Sequence, residues 1–137
     1  MDQFGYTWEP FTITTEDGYL LTTFHILENI NKSVTKNESY MPVMVMHGQQ
    51  CDSCSWLAWA DDYMPLPLQL FNDGFDVWMA NNRGTKYSHD HVSLNWRNDK
   101  DYWAWSWAEM GVYDDVANIK FIKEHTGKDK VSYVGVS

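Results

Sequence analysis

The chain has 137 residues, 44% of them hydrophobic and 21% charged, a balance that belongs to a globular domain and not to a disordered segment. Ten Lys and Arg against nineteen Asp and Glu give a net charge of -9, which repels nucleic acid and anionic bilayer surfaces; no nucleic-acid partner is expected. No apolar run reaches membrane-spanning length, so no stable membrane insertion is expected, and Met1-Asp2-Gln3-Phe4 has neither the charge nor the apolarity of a signal peptide.

Phe11 to Thr14 and Tyr19 to Ile26 are rich in aromatic and β-branched residues and flank Thr15-Glu16-Asp17-Gly18, so they predict a hairpin turning at Asp-Gly. Glu28 to Tyr40 is polar and reads as a surface loop. It carries two N-x-Ser sequons, at Asn31 and Asn37, that point modestly to a glycoprotein and to a secreted or lysosome-like location. Pro42 to Met46 is a continuous apolar run, the pattern of a strand covered on both faces, and His47-Gly48 ends it.

Trp56 to Ala60 is helix-compatible, and Leu66 to Asn72 predicts a second helical piece closed by Gly74. Phe75 to Ala80 is the next strand, followed by Asn81-Asn82-Arg83-Gly84 and a polar loop to about Lys100. Ser106-Trp107-Ala108-Glu109 is a capping box. Behind it two apolar stripes, Met110-Tyr113-Ala117-Phe121 and Val112-Val116-Ile119-Ile122, predict a helix lying against a sheet. Lys130 onward predicts a last strand. The order is an opening hairpin followed by β-α-β-α-β, an α/β architecture with a parallel sheet and one domain over 1–137.

In such sheets ligands gather at the carboxyl ends of the strands. Three polar features fall there: His47-Gly48-Gln49, Asn81 to Gly84, and Gly135-Val136-Ser137. A serine one residue beyond a strand, with Gly two positions earlier, forms the first half of a G-x-S-x-G nucleophile elbow. Serine needs a histidine base, usually with a carboxylate behind it. All five histidines precede Ser137, and His47 is read as a structural residue ordering the loop rather than as the base. The turn after Gly48 can offer the Gln49 N–H to an oxyanion.

Cys51-Asp52-Ser53-Cys54 admits three readings: incidental or disulfide-linked cysteines, a redox pair, or half of a metal site. His89-Asp90-His91 is read as loop polarity, and no metal or cofactor is expected. The aromatic tract Tyr102-Trp103-Ala104-Trp105-Ser106-Trp107 either packs a sheet face or lines an apolar acyl pocket.

Together these residues resemble the N-terminal part of the acid lipases, the gastric and lysosomal acid lipase and cholesteryl ester hydrolase group. The resemblance rests on Thr15 to Leu21, His47-Gly48, Gly74 to Trp78, Asn82 to Ser88 with His91, Trp103 to Asp114, and Tyr133 to Ser137. It implies an α/β-hydrolase fold, truncated at the nucleophile elbow, and hydrolysis of triacylglycerol or cholesteryl esters through a serine acyl-enzyme without a cofactor. By the resemblance Ser137 falls on the nucleophile and Gln49 on the oxyanion-hole donor, with His47, Gly48 and Gly135 as structural support. Val136 departs from the family's G-H-S-x-G. The resemblance also puts the lid, triad Asp and triad His beyond Ser137, so the 137-residue chain is expected to be inactive by itself, poorly soluble and partly disordered. Two other classes stay open: a non-catalytic or decayed relative, and a small thiol-redox protein using Cys51 and Cys54.

Overall fold

The computed structural model describes residues 1–37, 39–58 and 63–137. Its strands are β1 (Tyr6–Thr14), β2 (Tyr19–Asn29), β3 (Val34–Thr35), β4 (Met41–Met46), β5 (Phe75–Ala80), β6 (Asp90–His91) and β7 (Ser132–Gly135). The α-helices are α1 (Leu66–Asn72), α2 (Trp107–Glu109) and α3 (Val116–Thr126), with a π-helical segment, Met110–Asp115, joining the last two. One sheet holds all seven strands in the order β1-β2-β5-β4-β7, with β3 and β6 pairing β2. β1 and β2 form the antiparallel hairpin, and β5, β4 and β7 run parallel. The hairpin, the parallel strands and the sheet sense are those expected from the sequence, while β3 and β6 fall in segments expected to be polar loops.

Alternation along the parallel strands explains why β4 is apolar throughout. Val43 and Val45 of β4 and Val77 and Met79 of β5 bury against Leu68 and Phe71 of α1. Met44, Met46, Trp78 and Ala80 point to the opposite face and pack around Ile122 of α3. Each such side chain contributes about 1.5–3 kcal/mol by leaving water, so two covered faces supply most of the driving force. A third cluster, Ile13, Tyr19, Leu21 and Tyr102, closes the hairpin end.

Several local expectations need correction. The first strand starts at Tyr6, ahead of Phe11, and carries a bulge between Thr7 and Trp8; Pro10 is tolerated because β1 lies at the sheet edge. The polar segment after Glu28 is not all loop: a 3-10 turn, Ile30–Lys32, and β3 lie within it. The helix-compatible stretch at Trp56 is a 3-10 helix, Ser53–Leu57, capped by Asp52; its expected continuation over Trp59 and Ala60 lies outside the described residues.

The largest correction concerns the long helical segment. Its capping box forms as expected, with Ser106 and Glu109 bonding reciprocally. The inward face, however, is Asp114, Asn118 and Ile122, while Val112 and Val116 are 61% and 55% exposed. The wider turn of the π-helical segment shifts the register, so the regular spacing behind the two apolar stripes does not carry through. Asp114 and Asn118 are buried because they are bonded: Asn118 Oδ1 accepts from Thr23 Oγ1, and its Nδ2 donates to the Asp114 carbonyl at 2.9 Å.

Candidate active site

β4 and β7 are parallel neighbours with Met46 opposite Gly135, and the Val136 N–H donates to the Met46 carbonyl at 3.3 Å. That pairing carries both chain segments off the sheet side by side. A Cβ added to Gly48 would stand 3.0 Å from Ser137 Cβ and 3.0 Å from the Val136 carbonyl, so only glycine leaves the two turns in this contact without a shift. Ser137 has φ +57°, a left-handed conformation that non-glycine residues adopt sparingly. The facing turn closes by Cys51 N–H to Gly48 carbonyl at 3.1 Å, with Gln50 at φ +61°.

His47 is buried and committed. Its Nε2 accepts the Asn82 N–H at 3.1 Å, which leaves Nδ1–H to donate to the Gly48 carbonyl at 2.8 Å. Nε2 therefore ties the end of β4 to the end of β5, while Nδ1 holds the turn at Gly48. Asn81 does a similar service, accepting from Ser53 N–H and donating to the Thr22 carbonyl. His91 also has both nitrogens engaged: Nε2 with the Asp17 carbonyl, Nδ1 with the Ser93 and Leu94 N–H groups.

A cleft of about 1080 Å³ opens where these turns meet, lined among others by Gly48, Gln49, Ser137, Trp103, Trp105 and Trp107. The aromatic tract divides by side chain. Tyr102 is fully buried in the hairpin cluster, whereas Trp103 and Trp107 are 48% and 78% exposed at the cleft. Gly84, at φ +76°, makes room for Trp105 and Trp103: a Cβ there would come within 2.7 Å of the Trp105 ring and 3.3 Å of the Trp103 ring.

Arg83 anchors the floor behind this wall. It forks onto Asp17 through Nη1 at 2.6 Å and Nη2 at 2.8 Å, binds Asp114 through Nε at 2.9 Å, and lies 3.8 Å over the Tyr19 ring. Burial pushes Asp17 up, but its bonds from Arg83 and Thr15 outweigh that and hold it below the usual carboxylate range. For Asp114 burial prevails over the same guanidinium and the pKa is raised.

Three polar side-chain atoms in the cleft residues were invisible to sequence reasoning. Asn82 Oδ1, Trp105 Nε1 and Asp115 Oδ1 are buried without a hydrogen-bond partner among the described residues. Burying such atoms unpaired is costly. Burial pushes Asp115 up to about 6, against a bond from the Tyr133 hydroxyl at 3.2 Å. Only the π-helical register brings Asp115 here, and no local signal in the sequence reports that.

The remaining expected positions are peripheral. Cys51 and Cys54 are both exposed free thiols, so the disulfide reading does not hold; Cys54 Sγ lies 3.0 Å from the Tyr87 hydroxyl. Asn31 and Asn37 are exposed, with Asn37 Oδ1 accepting from Ser39; the middle residue of that sequon lies outside the described residues. No described helix is long and apolar enough to cross a membrane.

Residues 1–59 match the family model described as a partial alpha/beta-hydrolase lipase region. Triacylglycerol lipase 2 of Arabidopsis thaliana is 39% identical over 98% of this chain and 32% of its own length. Lipase lipl-3 of Caenorhabditis elegans is 38% identical over 100% of this chain and 33% of its own. The chain thus spans about a third of the length of these curated relatives. The esterase Pf2001 of Pyrococcus furiosus superposes with a TM-score of 0.62 over 98% of this chain and 42% of that one, at 17% identity, a likeness of fold alone. The chain is a partial α/β-hydrolase fold, with an opening β-hairpin and a mixed β-α arrangement, homologous to several lipases.

Proposed function

We propose that this chain forms the nucleophile half of a serine ester hydrolase of the acid-lipase group, acting on neutral lipid esters such as triacylglycerols or cholesteryl esters. The observation that carries the reading is Ser137, at φ +57°, seated against Gly48 at the head of the cleft. The hydroxyl attacks the ester carbonyl, and the tetrahedral oxyanion takes the Gln49 N–H as one donor. The exposed tryptophans offer apolar surface to an acyl chain.

His47 is not the base, because both its nitrogens are occupied. The base and its carboxylate are assigned to the part of a relative-length protein that this chain does not span, and the 137 residues alone are inactive in this reading. Val136 in the elbow is compatible with it, since what the turn needs at that position is a backbone N–H on Met46. The exposed Asn31 and Asn37 accord with glycosylation and a secreted or lysosome-like location.

The test is hydrolysis of a medium-chain p-nitrophenyl ester by the full-length protein containing this chain. Ser137→Ala is expected to lower kcat by about 10⁴-fold or more, as loss of a triad nucleophile does. Unchanged turnover in that variant would rule the assignment out.

A further inference from the structure

We propose that Glu9, His25 and His125 form a binding site for a divalent transition-metal ion of the zinc type, on the sheet face covered by α3. The three residues stand far apart in the sequence, and the fold assembles them. Glu9 and His25 are direct cross-strand partners in β1 and β2, and His125 comes from the last turn of α3. One ligand atom from each lies within 4.8 Å of the other two.

The orientation of His25 is the second and independent observation. Its ring is 0% exposed and stacks on Trp78 with centroids 3.7 Å apart. Nε2 lies 2.6 Å from Asp76 Oδ1, and Asp76 Oδ2 accepts from Trp78 Nε1 at 2.9 Å. A carboxylate only accepts, so both of these contacts run toward Asp76. Nε2 therefore carries hydrogen, and Nδ1 is the atom turned toward Glu9 Oε1, 3.2 Å away. Two acceptors facing each other need a cation between them, a proton or a metal ion. A carboxylate behind one imidazole nitrogen, fixing the tautomer so that the other can ligate, is the arrangement that supports histidine ligands in metal proteins.

The spacing fits. With metal–ligand bonds of about 2.0–2.2 Å, ligand atoms on a tetrahedral ion stand roughly 3.4 Å apart. The Glu9–His25 pair is already there, and His125, exposed on its helix, closes the remaining distance by rotation about its side-chain torsions. Water takes the fourth position. Two nitrogens and one carboxylate oxygen suit zinc better than calcium or magnesium, which demand oxygen ligands. Among nearby charges, Lys36 opposes a cation, while the carboxylates of Glu9 and Asp76 favour it. The bound ion would tie the opening hairpin to the end of α3, at the opposite end of β5 from the cleft.

The experiment is a zinc titration, by calorimetry, of metal-free protein in which Cys51→Ser and Cys54→Ser remove the competing thiols. One ion per chain is expected, with a thermal midpoint that rises as zinc is added. His125→Ala is expected to weaken binding at least about 10-fold and to abolish that rise, and Glu9→Gln, which leaves the His125 ring packed on Phe11 and Phe121, serves as the second variant. Cobalt bound at the same site quenches Trp78, which stacks on the His25 ligand. Absence of saturable binding in the thiol-free protein, or equal affinity in both variants and their parent, would overturn the proposal.

Discussion

Asp115 shows how a single side chain can define a site without advertising itself. Its carboxyl is packed beside the cleft with one oxygen bonded to Tyr133 and the other without a partner among the described residues, and burial raises its pKa from 3.8 to about 6. A carboxyl whose folded pKa lies above its unfolded value favours the folded state fully below the unfolded pKa, and that contribution is lost as pH rises through the folded one. The window here runs from about pH 4 to about pH 6. Asp115→Asn keeps an acceptor for the Tyr133 hydroxyl and removes the charge. Urea unfolding is therefore expected to find the variant more stable than the parent at pH 8 and equal to it at pH 4; equal midpoints at both would contradict the burial of this group. Nothing in Tyr113-Asp114-Asp115 distinguishes the two aspartates in the sequence, yet one is bonded to Arg83 and the other faces the cleft. Their roles depend on which turn of the helix is widened, a tertiary outcome.

At the scale of elements, Arg83 is the joint between the end of β5, the turn of the opening hairpin and the helical segment. Its backbone N–H and guanidinium both reach Asp114, and the guanidinium forks onto Asp17 in the hairpin turn. Arg83→Met fills much of the same space but leaves Asp114 buried and uncompensated. Such a loss is expected to cost about 3–5 kcal/mol, read from the denaturant midpoint; a cost under about 1 kcal/mol would mean that the joint is not made in solution. Elements of this kind differ in how far the sequence discloses them. β4 and β5 were legible because alternation on a doubly covered sheet leaves an unbroken apolar run, and the hairpin because Asp17-Gly18 marks its turn. The helix start was legible through Ser106 and Glu109. Its inward face was not, because Asp114 and Asn118 are polar residues buried by partners 31 and 95 positions away.

For the whole molecule, parallel pairing of β4 with β5 and β7 brings three turns to one edge of the sheet, and the cleft lies where they meet. The positions of Gly48 and Ser137 at strand ends could be read from the chain; their contact could not, since it depends on the register that sets Met46 against Gly135. Trp103 and Trp107 present apolar surface at that same edge, where the proposed lipid ester would approach. The proposed function rests on attack by Ser137 on an ester carbonyl. The decisive measurement treats the full-length protein with a fluorophosphonate carrying an alkyl chain and locates the adduct by peptide mass spectrometry. One phosphonate per molecule on Ser137, with no labelling of Ser137→Ala, is the expected result. An adduct on another residue, or equal labelling of the variant, would contradict it.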